Sequence, residues 1–178
     1  SASVFGNVFY FVSLNDALRQ WSGTGSHSAV TGGYAARGMD IINNRIVLVS
    51  TIEAGVALPQ RIRWTQNGSV VFTGTGSGSR DLADREDRIQ NIRKLGPFRG
   101  LIYKAESIVD IRATGDASFP FDTTELLGGL GLLCAYSVVE WAGGHFFVGS
   151  DQNIYAYDGG SINNIGKDIR YEFFTNLN

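Results

Sequence analysis

The sequence predicts an all-β fold, a β-propeller-like array of about four antiparallel blades with a repeat of about 45 residues. Two observations carry this expectation. One pattern is written four times: an apolar strand, a polar turn, then a second strand that closes on a large residue. It runs from Tyr10-Phe11-Val12 to Trp21, from Ile46-Val47-Leu48-Val49 to Trp64, from Leu101-Ile102-Tyr103 to Ile111, and from His145-Phe146-Phe147-Val148 to Tyr157. The closing residues stand 43, 47 and 46 positions apart, the spacing of propeller blades built on one hairpin per repeat. The second observation is 23 glycines against three prolines, scattered without a period, which reads as β-turn chemistry.

The elements follow in order. The first unit spans about 6–33. Phe9-Tyr10-Phe11-Val12 is apolar on both alternating sets, as a strand buried on two faces requires, and Asn15-Asp16 supplies a turn. The second unit, 38–73, turns at Asn43-Asn44 into a β-branched strand from Arg45. Asn67-Gly68 is a strong hairpin signal, since both residues tolerate positive φ, so Val70-Val71-Phe72 is expected to be the returning strand. The third unit, 88–115, opens on Gly96-Pro97 as a turn. Behind it Asp122-Thr123-Thr124-Glu125 has the form of a helix capping box, although Gly128, Gly129 and Gly131 rule out a long helix. The fourth unit, 136–161, holds the clearest hairpin. Residues 168–178 have the look of the start of a further strand, so closing a propeller is expected to need a neighbouring chain or a longer one.

Composition excludes several classes. A net charge of −2 lacks the basic face that sequence-independent nucleic-acid binding needs. No run of 18 apolar residues spans a membrane. The single cysteine, Cys134, rules out an intrachain disulfide and is expected to be a small buried hydrophobe in Leu132-Leu133-Cys134-Ala135.

Catalytic signals are sparse. The two histidines, His27 and His145, are not spaced as metal ligands, and Cys134 adds no third one. There is no Gly-x-Ser-x-Gly elbow. Gly74, Gly76 and Gly78 are not followed by Gly-Lys-Ser/Thr, so they do not form a phosphate loop. The turn Gly149-Ser150-Asp151-Gln152-Asn153 offers oxygen ligands for Ca²⁺, but a side-chain-stabilised hairpin explains it as well. The expectation is therefore a protein that is not an enzyme, with no cofactor and no bound metal.

Residues 80–94 carry nine charges of nearly balanced sign. The charge pattern allows a helix over 81–95, whereas the repeat favours a polar loop followed by a strand over 88–95. Arg80, Asp84, Arg85, Glu86, Asp87 and Arg88 are the candidate subunit interface, with a solvated loop as the competing reading.

Several short blocks in series also carry a family likeness. They are Arg61-Ile62-Arg63-Trp64, Ser79-Arg80-Asp81-Leu82, Ile89 to Leu95 with Gly96, Leu101-Ile102-Tyr103-Lys104-Ala105-Glu106-Ser107-Ile108, Val138-Val139-Glu140-Trp141-Ala142-Gly143-Gly144-His145-Phe146-Phe147, Tyr155-Ala156-Tyr157-Asp158-Gly159 and Ile165-Gly166-Lys167-Asp168-Ile169-Arg170. The ordered series resembles the β-propeller proteins of tailed bacteriophages, of the tail nozzle and packaged-DNA stabilisation (head-closure) type. That resemblance implies a structural virion component at the tail or portal vertex, made in the host cytoplasm. It implies assembly with copies of itself in a ring and with other portal or tail proteins, around a channel through which double-stranded DNA passes unread.

The alternative is a binding module for carbohydrate or a host surface, with Trp21, Trp64 and Trp141 as stacking faces. Trp21 and Trp64 sit at the repeated strand position, so core packing is the expectation for those two. An enzymatic propeller is a third reading, since residues 149–159 faintly resemble a quinoprotein dehydrogenase blade, but the other units lack that signature.

Overall fold

The structure, a computed structural model, describes residues 1–176. Among them, sixteen strands form four antiparallel four-stranded sheets, each a meander in chain order. Blade 1 holds β1 (Ala2–Phe5), β2 (Val8–Phe11), β3 (Arg19–Trp21) and β4 (Ser28–Ala29). Blade 2 holds β5 (Ala35–Ile42), β6 (Arg45–Glu53), β7 (Val56–Trp64) and β8 (Gly78–Asp81). Blade 3 holds β9 (Ile89–Gly96), β10 (Arg99–Lys104), β11 (Ser107–Ala113) and β12 (Phe121–Gly128). Blade 4 holds β13 (Val138–Trp141), β14 (Gly144–Val148), β15 (Ile154–Tyr157) and β16 (Ile162–Asn164). Trp21, Trp64, Ile111 and Tyr157 all fall on the third strand of their blade, so the repeat in the sequence is the repeat of the fold.

Local chemistry sets the first hairpin of each blade. Gly6-Asn7, Asn43-Asn44 and Ala142-Gly143 each fill a two-residue turn with both φ positive, the turn whose twist matches its flanking strands. Blade 3 has Pro97-Phe98 there instead, between the paired Gly96 and Arg99. Proline cannot take positive φ, and the β9–β10 register shifts between Arg99 and Gly100.

Three cores lie between the blades. Tyr10, Val12 and Leu18 of blade 1 meet Ala36, Met39, Ile46 and Leu48 of blade 2. Ile42, Val49, Ile62 and Trp64 of blade 2 meet Ile92, Ile102, Val109 and Ile111 of blade 3. Leu101, Tyr103 and Ile108 of blade 3 meet Val138, Phe147 and Tyr157 of blade 4. Each fully buried aliphatic chain stabilises by about 1.5–3 kcal/mol. Because paired strands alternate faces, every blade presents one apolar row forward and one backward.

Side chains also staple consecutive blades at or just before their first strands. Ser1 Oγ donates to Met39 O (3.1 Å), Asp40 Oδ2 accepts Lys94 N–H (2.9 Å), and Asn91 Nδ2 donates to Ala135 O. Gly38 permits the second approach: a Cβ there would lie 2.7 Å from Asn91 Oδ1.

The structure corrects several local expectations. Blade 1 starts earlier than Gly6, at Ala2. Residues 70–72 are not a strand, because β8, beyond the Gly-rich loop, pairs with β7 instead. The Asn67-Gly68 turn does form, and Phe72 folds back into the first core, edge-on to Tyr34 at 5.6 Å. Over 80–95 the reading favoured by the repeat holds: a polar loop leads into strand β9 at Ile89, and the helix that the charge pattern allowed over 81–95 does not form. The capping-box tetrapeptide lies inside strand β12, where pairing with β11 outweighs its local preference. Residues 170–175, expected to begin a strand, form the short helix α1 (Arg170–Thr175), since β16 already occupies the fourth position of blade 4; Leu177 and Asn178 lie outside the described residues. Cys134 is exposed, not buried, because it sits in the irregular link between blades 3 and 4.

Candidate functional site

The charged segment divides in two. Arg80 on β8 and Asp84, Glu86 and Arg88 in the following loop are exposed. Arg85 also reaches solvent but is bound to its own chain, its guanidinium holding both carboxylate oxygens of Glu125 on β12. Asp87 turns inward. Its Oδ2 accepts the Glu106 amide and the Ser107 hydroxyl, both at 2.9 Å, and its Oδ1 lies 2.6 Å from Lys104 Nζ. Lys104 is 2% exposed and also donates to the carbonyls of Leu82 (3.1 Å) and Arg85 (2.9 Å). Burial pushes the Asp87 carboxyl up, but Lys104 and the two donors outweigh it and hold it below the usual carboxylate range. One buried ammonium therefore anchors the loop that carries the exposed charges. Nothing in the sequence pattern singles out Lys104, since a lysine closing a strand ordinarily reads as surface.

Two further charge networks tie strands and blades. Glu53 joins Arg61 and Arg63 across β6 and β7, and Arg63 lies over the Tyr34 ring at 4.3 Å. Arg99 of blade 3 binds Asp110 and then reaches blade 4 at Tyr157 Oη (2.8 Å) and Gly159 O (2.9 Å). Burial raises the Asp110 carboxyl, yet Arg99 and Arg112 bring it below its ordinary value.

The histidines lie apart. His145 is 1% exposed, with Nε2 2.8 Å from Lys94 O and Nδ1 2.9 Å from Tyr103 Oη. Burial lowers its pKa. His27 is exposed on blade 1, edge-on to Phe11 at 5.4 Å. Among the described residues no group of three His, Cys, Asp or Glu side chains could hold a metal ion. Both Asp151 oxygens are taken up locally, by the Asn153 amide and side chain and the Tyr155 hydroxyl. The 149–153 turn is thus closed by its own side-chain bonds.

The two ends of the array carry the most conspicuous surface. On blade 1 the paired row Val4, Phe9 and Trp21 faces away from blade 2 and is 63%, 40% and 41% exposed. Phe11 extends this face, 5.9 Å from Phe9. On blade 4, Val139 and Trp141 face away from blade 3 and are 57% and 65% exposed, with Trp141 leaning on Phe146 at 5.4 Å. A hollow of about 140 Å³ lies beside Trp141, between Phe146 and Ala156. Equivalent apolar rows are buried at the three joints between blades. The three tryptophans consequently differ: Trp64 is core, as its strand position predicts, but Trp21, expected in the core for the same reason, is exposed because no blade packs on that side of blade 1, and Trp141 sits on the other end face. The run 9–12, expected to be buried on both faces, is buried on its Tyr10 and Val12 side only, because no blade packs on the side of Phe9 and Phe11; the apolar residues on both sides of this run, like the pair Val138-Val139, are what the sequence shows of these faces.

Four successive four-stranded meanders packed face to face define a β-propeller-type array. No family model matches the chain, and no curated protein matches it. Twelve chains among solved structures match. One is YCF48 from Cyanidioschyzon merolae, at 11% sequence identity and a TM-score of 0.51 over 92% of this chain. The chain spans 57% of that structure's length. At this identity the likeness shows the fold alone. Among the described residues, no helix is long and apolar enough to cross a membrane.

Proposed function

We propose that this chain is a structural, non-catalytic component of a tailed-phage virion that contributes blades to a ring at the portal or tail. The observation that carries the reading is the pair of open apolar faces, Val4/Phe9/Trp21 at one end and Val139/Trp141 at the other. Exposed clusters of this kind mark association sites. The two faces are of the kind that meet at each internal joint, so blade 4 of one copy suits blade 1 of the next, a head-to-tail contact that closes into a ring. The likeness of the sequence blocks to phage propeller proteins supplies the virion setting. The net charge of −2 suits a lumen past which DNA moves without being held.

Electron microscopy of the purified assembly tests this reading. The expected result is closed rings with an open centre that bind duplex DNA weakly and without sequence preference. Discrete single arrays, or tight DNA binding, would contradict it.

A further inference from the structure

A cleft of about 650 Å³ opens at the outer rim between blades 2 and 3, away from both end faces. Its size is that of a small-molecule site. One wall is β8, the outer strand of blade 2. The other is the connection between β11 and β12 with the start of β12. The two walls meet at one end, where a Cβ on Gly76 would lie 3.3 Å from Ala117 O.

Three aromatic rings line it. Trp64 packs edge-to-face on Phe121, with centroids 5.7 Å apart. Phe119 stands at the rim, 75% exposed. Its loop is braced, because Asp116 Oδ1 accepts the amides of both Ser118 and Phe119, and Thr114 Oγ1 donates to Phe119 O. The backbone that carries the exposed ring is therefore braced by bonds within its own loop.

The polar lining comprises Arg80, the carboxylate of Asp122, whose Oδ1 accepts the Thr123 amide, and the side chains of Ser77, Ser79, Thr114 and Ser118. Gly78 pairs with Trp64 and Arg80 pairs with Ile62, so Arg80 and Trp64 lie on the same face of the sheet, toward blade 3. Among the described residues Arg80 makes no ion pair and its side chain no hydrogen bond, unlike Arg61, Arg63, Arg85 and Arg99. Trp64 Nε1 is buried without an acceptor. A cation lacking a partner, beside an exposed aromatic ring, suits a ligand that brings an anion and a flat apolar face together.

We infer that this cleft binds an acidic saccharide, with the sugar's C–H face on Phe119 and its carboxylate on Arg80. The inference is independent of ring assembly, since neither residue belongs to an end face.

The test follows the Trp64 indole N–H by NMR, assigned with Trp64→Phe. The intact chain is titrated with methyl glycosides of glucuronic, galacturonic and N-acetylneuraminic acid, and with neutral glucose and galactose counterparts. At least one acidic glycoside is expected to shift the Trp64 resonance and leave those of Trp21 and Trp141 unmoved. Arg80→Ala should weaken that binding at least tenfold, and Phe119→Ala should abolish it, with the other two indole resonances reporting an intact fold. No shift with any acidic glycoside, equal binding of the neutral sugars, or binding unaffected by Arg80→Ala would each overturn the proposal.

Discussion

Trp64 lies directly over Gly78, its paired residue on the neighbouring strand: a Cβ at Gly78 would stand 2.9 Å from the indole Cζ2. The glycine is the space the indole occupies, and the ring in turn joins β8 to the core between blades 2 and 3. Gly78→Val should cost about 1–3 kcal/mol by overpacking, and Trp64→Ala about 3–5 kcal/mol by leaving a cavity. Urea denaturation measures both. In the double variant the costs should fall short of additive, because the valine no longer meets a ring.

Lys104 and Asp87 make a second testable pair. Lys104→Met removes the ammonium that faces a carboxylate only 8% exposed, and should destabilise by about 3–5 kcal/mol. The double variant Lys104→Met, Asp87→Leu leaves no unpaired charge and should recover much of that loss. Equal stability of the single and double variants would show that the anchor is not electrostatic.

His145 sets a pH dependence. Burial lowers its folded pKa below the ordinary 6.5, so the native state binds fewer protons than the unfolded chain below that pH. Its contribution is fully present above about pH 6.5 and is lost as pH falls toward the folded pKa. Wild-type stability should fall in this window by up to about 1.4 kcal/mol per pH unit more than that of His145→Gln. Denaturation curves at pH 7.5 and 5.5 give the comparison.

The repeat was legible in the sequence because the third strand of each blade closes on a large side chain that the fold needs there. The turns Asn43-Asn44 and Asn67-Gly68 were legible because positive φ restricts residue choice. The outer strands β8 and β12 were not. They pair along one edge only, so Gly-Ser-Arg-Asp and Asp-Thr-Thr-Glu carry no apolar alternation, and local cap chemistry misled. Of the charged segment, position in a polar loop could be read from composition. The inward turn of Asp87 depends on Lys104, 17 residues later, and no local pattern encodes it.

Cys134 gives a simple check on the link between blades 3 and 4. An exposed thiol should react with a chromogenic disulfide reagent in the native state as fast as after denaturation. Cys134→Ser should change stability by less than about 0.5 kcal/mol. Slow native labelling would show that the link is packed.

The claim that the end faces exist to be covered is tested most directly by the mass of the native protein, measured by light scattering during size-exclusion chromatography. The wild-type chain should elute as a closed oligomer of defined copy number. Phe9→Arg and Trp141→Arg should each reduce it to a folded monomer of 19.3 kDa with little loss of stability, because both side chains face solvent in the single chain. A wild-type chain that is monomeric at every concentration, or an oligomer indifferent to both substitutions, would contradict the account.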